Sequence, residues 1–315
     1  MSHASYHAET LQVSDEVRAA LAANQPLVAL ESALITHGLP YPQNLETSRE
    51  LEAAVRDAAA IPATIALIAG RCVIGLSAAQ CEALAKRDTP ARKISVRDLP
   101  TAIAQQSNGG TTVAATMRLA HLAGLRIFAT GGIGGVTRGA PFDISADLIE
   151  LGRTPIAVVC AGAKSILDLP ATLEVLETQG VPVIGYGTSE LPAFFARSSG
   201  LPLAARMDSP AEIASAMQAA DQLGLHQGMV IANPIPEDAA LAGEAIEAHI
   251  AQALADAEAE GVRGAALTPA VLSRVAKLSA GESINANRAL LLNNARLASA
   301  IAIELSKLDA SATSS

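Results

Sequence analysis

Short runs of nearly unbroken aliphatic and β-branched residues recur along this chain, and they constrain its fold more than any other feature. They cover 26–31, 63–68, 71–75, 125–130, 156–161, 181–185 and 229–233. A strand with one wet face alternates apolar and polar side chains, whereas a strand covered on both faces does not. Between the runs lie stretches with helical spacing, at 44–60, 77–86, 111–123, 145–151, 169–178 and 210–223. That alternation predicts an α/β protein, a three-layer α/β/α sandwich with a mostly parallel central sheet. After Asn233 the strand signal stops. Residues 236–260, 268–278 and 283–305 read as helices, giving a helical C-terminal part. No linker divides the chain, so residues 1–308 are expected to form a single α/β catalytic domain, with 309–315 a flexible tail.

Composition narrows the chemistry. Of 315 residues, 50% are hydrophobic but only 2% aromatic, with no Trp, so Ala, Leu, Ile and Val must fill the core. Few rings means few platforms on which single-stranded nucleic acid could stack. The formal net charge of −9 is the wrong sign for a phosphate-backbone binder, so no nucleic-acid partner is expected. The three cysteines, Cys72, Cys81 and Cys160, show neither disulfide-framework nor zinc spacing. No secretory signal is visible, and no run approaches the ~18 apolar residues of a membrane span. A cytoplasmic protein is the expectation, with no membrane partner.

In parallel α/β sheets, ligands bind beyond the carboxyl ends of the strands, so polar groups there carry most weight. Glu31 closes the run LVALE; partial burial would raise its pKa and suit a proton donor, while the plainer reading is a strand-end carboxylate facing water. Lys164 follows VVCAGA; desolvation would favour its nucleophilic amine, while the plainer reading is a lysine snorkelling to solvent. The segment 108–117, NGGTTVAATM, sets two glycines and two threonines before a helix. It is either a phosphate cradle, with Lys93 and Arg97 supplying countercharge, or an ordinary turn with a Thr cap. The glycines at 131, 132, 134 and 135 do not make a dinucleotide fingerprint. If Asp143 caps a helix, Asp147 lies one turn on, and the pair with Ser145 could hold Mg²⁺ or Mn²⁺ or could simply cap. The histidines show no metal spacing. Asn285, Asn287, Asn293 and Asn294 interrupt an apolar helix and need partners, either a core network or a ligand.

Taken together, VALESALITHGLPYPQN, KISVRDLP, NGGTTVAATM, FATGGIGGVTRGAPFDISADL, VVCAGAKSILDLPATLEVLETQGVPVIGYGT and VIANPIPE closely resemble the pseudouridine-5′-phosphate glycosidases, relatives of indigoidine synthase A. The likeness runs from about Leu11 to about Leu305. It implies reversible conversion of pseudouridine 5′-phosphate and water to uracil and ribose 5-phosphate. It also implies one Mn²⁺, or another divalent cation, per subunit of a homotrimer. By the same resemblance, Lys164 is the nucleophile, Glu31 the proton donor, Asp147 a second acid/base group and Asp143 the metal ligand. Lys93, Thr111, Thr112, Val113, Ser145, Ala146, Asp147 and Asn287 are the expected substrate contacts. The stretch GAPF between Arg138 and Asp143 is about two residues shorter than the family pattern. Two other readings share Lys164 and the cradle: an imine-forming sugar-phosphate aldolase and a non-catalytic phosphosugar-binding protein.

Overall fold

The structure, a computed structural model, describes residues 10–87, 90–262 and 267–313. Its strands are β1 (Leu11–Val13), β2 (Leu27–Glu31), β3 (Ile61–Ile68), β4 (Arg71–Ile74), β5 (Ala91–Ile94), β6 (Asn108–Thr111), β7 (Ile127–Ala129), β8 (Val136–Thr137), β9 (Ala140–Ile144), β10 (Ala157–Cys160), β11 (Leu167–Asp168), β12 (Val183–Tyr186), β13 (Ala205–Met207) and β14 (Met229–Ala232). The main sheet runs β1-β4-β3-β2-β7-β10-β14-β12-β13. From β3 through β13 every neighbouring pair is parallel. Helices surround this sheet, so its central strands are covered on both faces, and all of Leu27–Leu30, Ile127–Ala129 and Ala157–Cys160 is buried. Each expected apolar run coincides with a strand, with ends that agree to within two residues.

The expected helices are present as Gln43–Asp57, Ala78–Lys86, Val113–Leu122, Ala146–Leu151, Leu169–Thr178, Pro210–Gln222, Gly243–Ala259, Leu267–Leu278 and Glu282–Thr313, the one expected from 236 starting only at Gly243 after a separate 3₁₀ turn at Glu237–Ala239. Three that begin near the carboxyl edge of the sheet start on a side-chain cap, with Thr112, Ser145 and Asp168 accepting backbone N–H groups. Such caps satisfy donors the first turn leaves open and fix where each helix begins. The last helix packs over β2, β7 and β10 and against the helices Gln43–Asp57 and Pro210–Gln222.

Two differences from the sequence expectation have physical causes. First, Asn108–Thr111 is a strand rather than a turn. β2 pairs with the first half of β3 and ends at Glu31, opposite Ile65. β6 then pairs with Ala66 and Leu67 of β3, just past that end. This takes β6 so close to the turn after β2 that a Cβ on Gly110 would sit 2.2 Å from Thr36 Oγ1 and 2.6 Å from the Ser32 carbonyl oxygen. Glycine is there for close approach. Second, the tail expected from 309 is helical through Thr313, and Asp309 pairs with Arg126 at 3.1 Å. Residues 314–315 lie outside the described residues.

A second, small sheet has the order β11-β8-β9 and is antiparallel. Its hairpin, β8 and β9, turns at Arg138 and Gly139, and the shortened GAPF stretch forms the turn and the start of β9. This sheet joins the hairpin bearing Asp143 to the residues that follow Lys164.

Candidate active site

The strand order lines up the ends of β2, β7, β10 and β14, and the segments leaving these ends build the site. Glu31, the last residue of β2, accepts a short hydrogen bond from the hydroxyl of Thr130, the first residue after β7. Burial pushes the Glu31 carboxyl above its ordinary value. The Lys164 ammonium and the Thr130 hydroxyl pull against that rise, Asp147 adds to it and Lys93 opposes it. Burial lowers Lys93 from its ordinary value, and the like charge of Lys164 lowers it further. Glu31 and Asp147 offset part of that. Glu31, Lys93, Asp147 and Lys164 therefore share one field, although they are scattered over more than a third of the chain. A carboxyl that burial biases toward holding its proton, set beside amines at a strand end, is the equipment of general acid catalysis. His37 stands on the same side: burial, then Lys93 and Arg87, hold its imidazole below its usual value. Its Nδ1 lies 2.7 Å from Thr36 Oγ1.

Lys164 leaves β10 through a short loop laced to the loop after β7. Ile133 N–H donates to the Gly162 carbonyl at 3.1 Å, and Lys164 N–H donates to the Ile133 carbonyl at 3.0 Å. Leu167 N–H then donates to the Lys164 carbonyl at 3.0 Å, closing a turn. The backbone of Lys164 is thus fixed on both sides.

Asp147 is buried, 5% exposed, in the first turn of the helix Ala146–Leu151. One carboxylate oxygen accepts Ala114 N–H at 2.9 Å and the other accepts Gly134 N–H at 2.8 Å. It therefore pins the loop after β7 to the start of the helix Val113–Leu122. This corrects the picture of that helix start as an open cradle. Ala114 N–H is taken by Asp147 and Ala115 N–H by the Thr112 hydroxyl, which leaves Val113 N–H for a ligand among the described residues. Thr111 is also corrected as a substrate contact. It is fully buried: its hydroxyl donates to the Ile65 carbonyl at 2.7 Å and receives the Thr116 hydroxyl at 2.9 Å. Its role is to hold β6 against β3 and Ser32, whose hydroxyl accepts Thr111 N–H at 3.0 Å.

Asp143 does not cap the helix; Ser145 does, accepting Asp147 N–H at 3.2 Å. Asp143 lies on exposed β9 and accepts the Thr137 hydroxyl at 2.9 Å, so it and Asp147 do not share a helix face. No group of three or more His, Cys, Asp or Glu side chains suited to a metal occurs among the described residues. A protein-built cage is therefore not the fit. One exposed carboxylate with a neighbouring hydroxyl suits a hard divalent ion that keeps most of its water.

The asparagines divide into distinct roles. Buried Asn294 donates to the Thr130 carbonyl at 2.8 Å and receives Asn233 Nδ2 at 2.9 Å, tying the ends of β7 and β14 together under the site. Asn293 donates to the Pro234 carbonyl at 3.1 Å. Asn287 sits over Gly131, its Oδ1 3.5 Å from where a Cβ on that glycine would be. Thr130 and Asn233, which the sequence reading did not single out, were findable as the polar residues ending two apolar runs. A cavity of about 480 Å³ lies beside the charged cluster, lined by Arg138, Ser165, Leu167, Ile246 and Glu247 among others. It touches the cluster only through Ser165, the neighbour of Lys164. The chemistry is placed by the ionisable groups rather than by this cavity.

The family model described as indigoidine synthase A like protein matches residues 16–304. A protein of Paracoccus denitrificans named pseudouridine-5′-phosphate glycosidase is 55% identical over 297 residues, which is 93% of this chain and 97% of that protein. One of the same name from Escherichia coli is 53% identical over 310 residues, 98% of this chain and 99% of that protein. Among solved structures, the prealnumycin C-glycosynthase AlnA in complex with ribulose 5-phosphate superposes with a TM-score of 0.88 at 42% identity, covering 96% of this chain and 99% of its own. An indigoidine synthase A-like protein from Thermotoga maritima gives 0.86 at 32% identity, covering 94% and 96%. The chain belongs to the indigoidine synthase A-like family.

Proposed function

We propose that this protein is a pseudouridine-5′-phosphate glycosidase, which reversibly splits the carbon–carbon glycosidic bond of pseudouridine 5′-phosphate, with water, into uracil and ribose 5-phosphate. The observation that carries the reading is the shared field of Glu31, Lys93, Asp147 and Lys164 at one sheet edge, with Glu31 raised by burial. Relatives bearing that name match over nearly the whole chain.

A carbon-linked base is a poor leaving group for the usual two-carboxylate route. An amine changes the problem. The free amine of Lys164 attacks the anomeric carbon, the bond from that carbon to the ring oxygen breaks, and the oxygen takes the proton the nitrogen loses. The nitrogen lone pair then forms a carbon–nitrogen double bond as the bond to uracil breaks. Glu31 delivers its proton to the base carbon. Water adds to the iminium, releases ribose 5-phosphate as the aldehyde, and returns a proton to Glu31. Lys93, Val113 N–H, Thr112, Ser145, Ala146 and Asn287 line the approach as substrate contacts. Asp147 holds the two loops in register and keeps lone pairs free for a substrate hydroxyl. A divalent ion such as Mn²⁺, held by Asp143 through a largely aqueous shell, would supply positive charge near the substrate anion. A homotrimer acting in nucleotide breakdown in the cytoplasm belongs to the same proposal; among the described residues no helix is long and apolar enough to cross a membrane.

The test is incubation with uracil, ribose 5-phosphate and Mn²⁺, read by ultraviolet absorbance and mass for pseudouridine 5′-phosphate. Borohydride trapping of a sugar adduct follows. Lys164→Ala should lose both signals. An adduct without any pseudouridine 5′-phosphate formed would instead indicate an aldolase, and binding with neither adduct nor product a phosphosugar-binding protein.

A further inference from the structure

Arg138 is used by nothing in the scheme above, yet its guanidinium makes four hydrogen bonds. At the turn of the β8–β9 hairpin, it donates from Nε to the Leu167 carbonyl at 3.0 Å and from Nη2 to the Ser165 carbonyl at 2.9 Å. It also grips the Glu247 carboxylate of the helix Gly243–Ala259 with both terminal nitrogens. The two carbonyls belong to the turn that Leu167 N–H closes on the Lys164 carbonyl. Beyond that turn, β11 pairs with β8, with Leu167 opposite Thr137. The hairpin that carries Arg138 also carries Asp143.

We infer that Arg138, set by Glu247, is a positioning residue that fixes the Lys164 turn against the Asp143 hairpin and so aims the Lys164 amine at the substrate carbon. The inference rests on Lys164 being the nucleophile. Three observations support it. Only a planar fork reaches two carbonyls and a bidentate carboxylate at once; a lysine has a single nitrogen for the same task. The pair is partly exposed, with side chains 31% and 53% accessible, so its charge contributes little to global stability. A role in global stability is thus a weak explanation for this set of bonds, and geometry is the stronger one. Finally, the Ser165 hydroxyl is buried and is the one such side-chain atom without a partner among the described residues. This turn is therefore not held by its own side chain, and its external holder on the Ser165 carbonyl is Arg138.

The test measures single-turnover adduct formation with ribose 5-phosphate under borohydride, alongside the Kd for ribose 5-phosphate and Tm, in Arg138→Met, Arg138→Lys and Glu247→Gln. A displacement of about 1 Å at a reacting group costs about 100-fold in rate. Arg138→Met should therefore trap adduct about 100-fold more slowly with Kd changed less than about threefold, a loss confined to the chemical step. Arg138→Lys should fail to restore the rate, and Glu247→Gln, which keeps the fork and weakens its anchor, should fall between. If wild type forms an adduct and Arg138→Met forms it at the same rate, the positioning role is wrong while the Lys164 reading stands. Rate and Tm falling while Kd rises in all three variants would equally overturn it, as a general loss of fold. If wild type itself forms no adduct that Lys164→Ala removes, both readings fall.

Discussion

Gly134→Ala adds one methyl group at the point where the loop after β7 meets Asp147, and the structure sets the size of the effect. The new carbon would lie 2.2 Å from Ser145 Oγ, 2.6 Å from Ser145 Cβ and 2.7 Å from Asp147 Oδ2. Carbon atoms in contact prefer about 3.5–4.0 Å, so something must move by about 1 Å. Rotating the serine hydroxyl does not help, because its Cβ is itself too near and Ser145 caps the helix that carries Asp147. Relief therefore comes from moving the loop or the helix start, and either breaks Gly134 N–H to Asp147. Overpacking costs about 1–3 kcal/mol and a lost hydrogen bond to a charged group about 1.5–3 kcal/mol, or about 2.5–6 kcal/mol together. Because Asp147 shares the field of Glu31 and Lys93, kcat should fall by about 100-fold. Gly180→Ala is the control. That glycine sits at φ +71°, but nothing lies within 4 Å of an added Cβ. It should cost about 1–2 kcal/mol of backbone strain and leave kcat unchanged. Calorimetry and a steady-state product assay on both variants decide the matter. A Gly134→Ala protein with wild-type kcat and a Tm within about 2 °C of wild type would refute the reasoning.

Other perturbations test the remaining parts of the site. Glu31 has a raised folded pKa, so folding retains its proton, and stability is lost as pH rises from the unfolded value through the folded one. Glu31→Gln should therefore gain Tm relative to wild type progressively across that rise, while losing turnover at every pH. Wild-type turnover should fall at high pH as the donor proton is lost, at a higher pH than an exposed glutamate would give; a pH–rate profile reads this directly. Asp143→Ala should abolish the dependence of rate on added Mn²⁺ and leave Tm nearly unchanged, since its hydroxyl partner Thr137 is on an exposed hairpin.

The parallel core was legible because strands buried on both faces must be continuously apolar, as 156–161 and 229–233 are. The edge and accessory strands were not. β5 (ARKI), β6 (NGGT) and β13 (ARM) are short or polar, and tertiary pairing rather than local preference makes them strands. In the site, Glu31 and Lys164 announced themselves as lone charges ending apolar runs. Thr111 misled because a hydroxyl before a helix looks the same in sequence whether it faces a ligand or the Ile65 carbonyl. Asp143 and Asp147 misled because a spacing of four suggests one helix face, and only the Ser145 cap shows where the helix begins. Arg138 could not be read at all, since its partners at 165, 167 and 247 are distant in sequence.

Asn294 belongs to the last helix, and its amide joins the residue after β7 to the residue after β14. A ribosome therefore makes the lysine and both carboxylates long before it makes the brace beneath them. A chain halted short of that helix carries the lysine and both carboxylates but lacks the amide that braces the ends of β7 and β14, so full competence waits on a segment made long after Lys164.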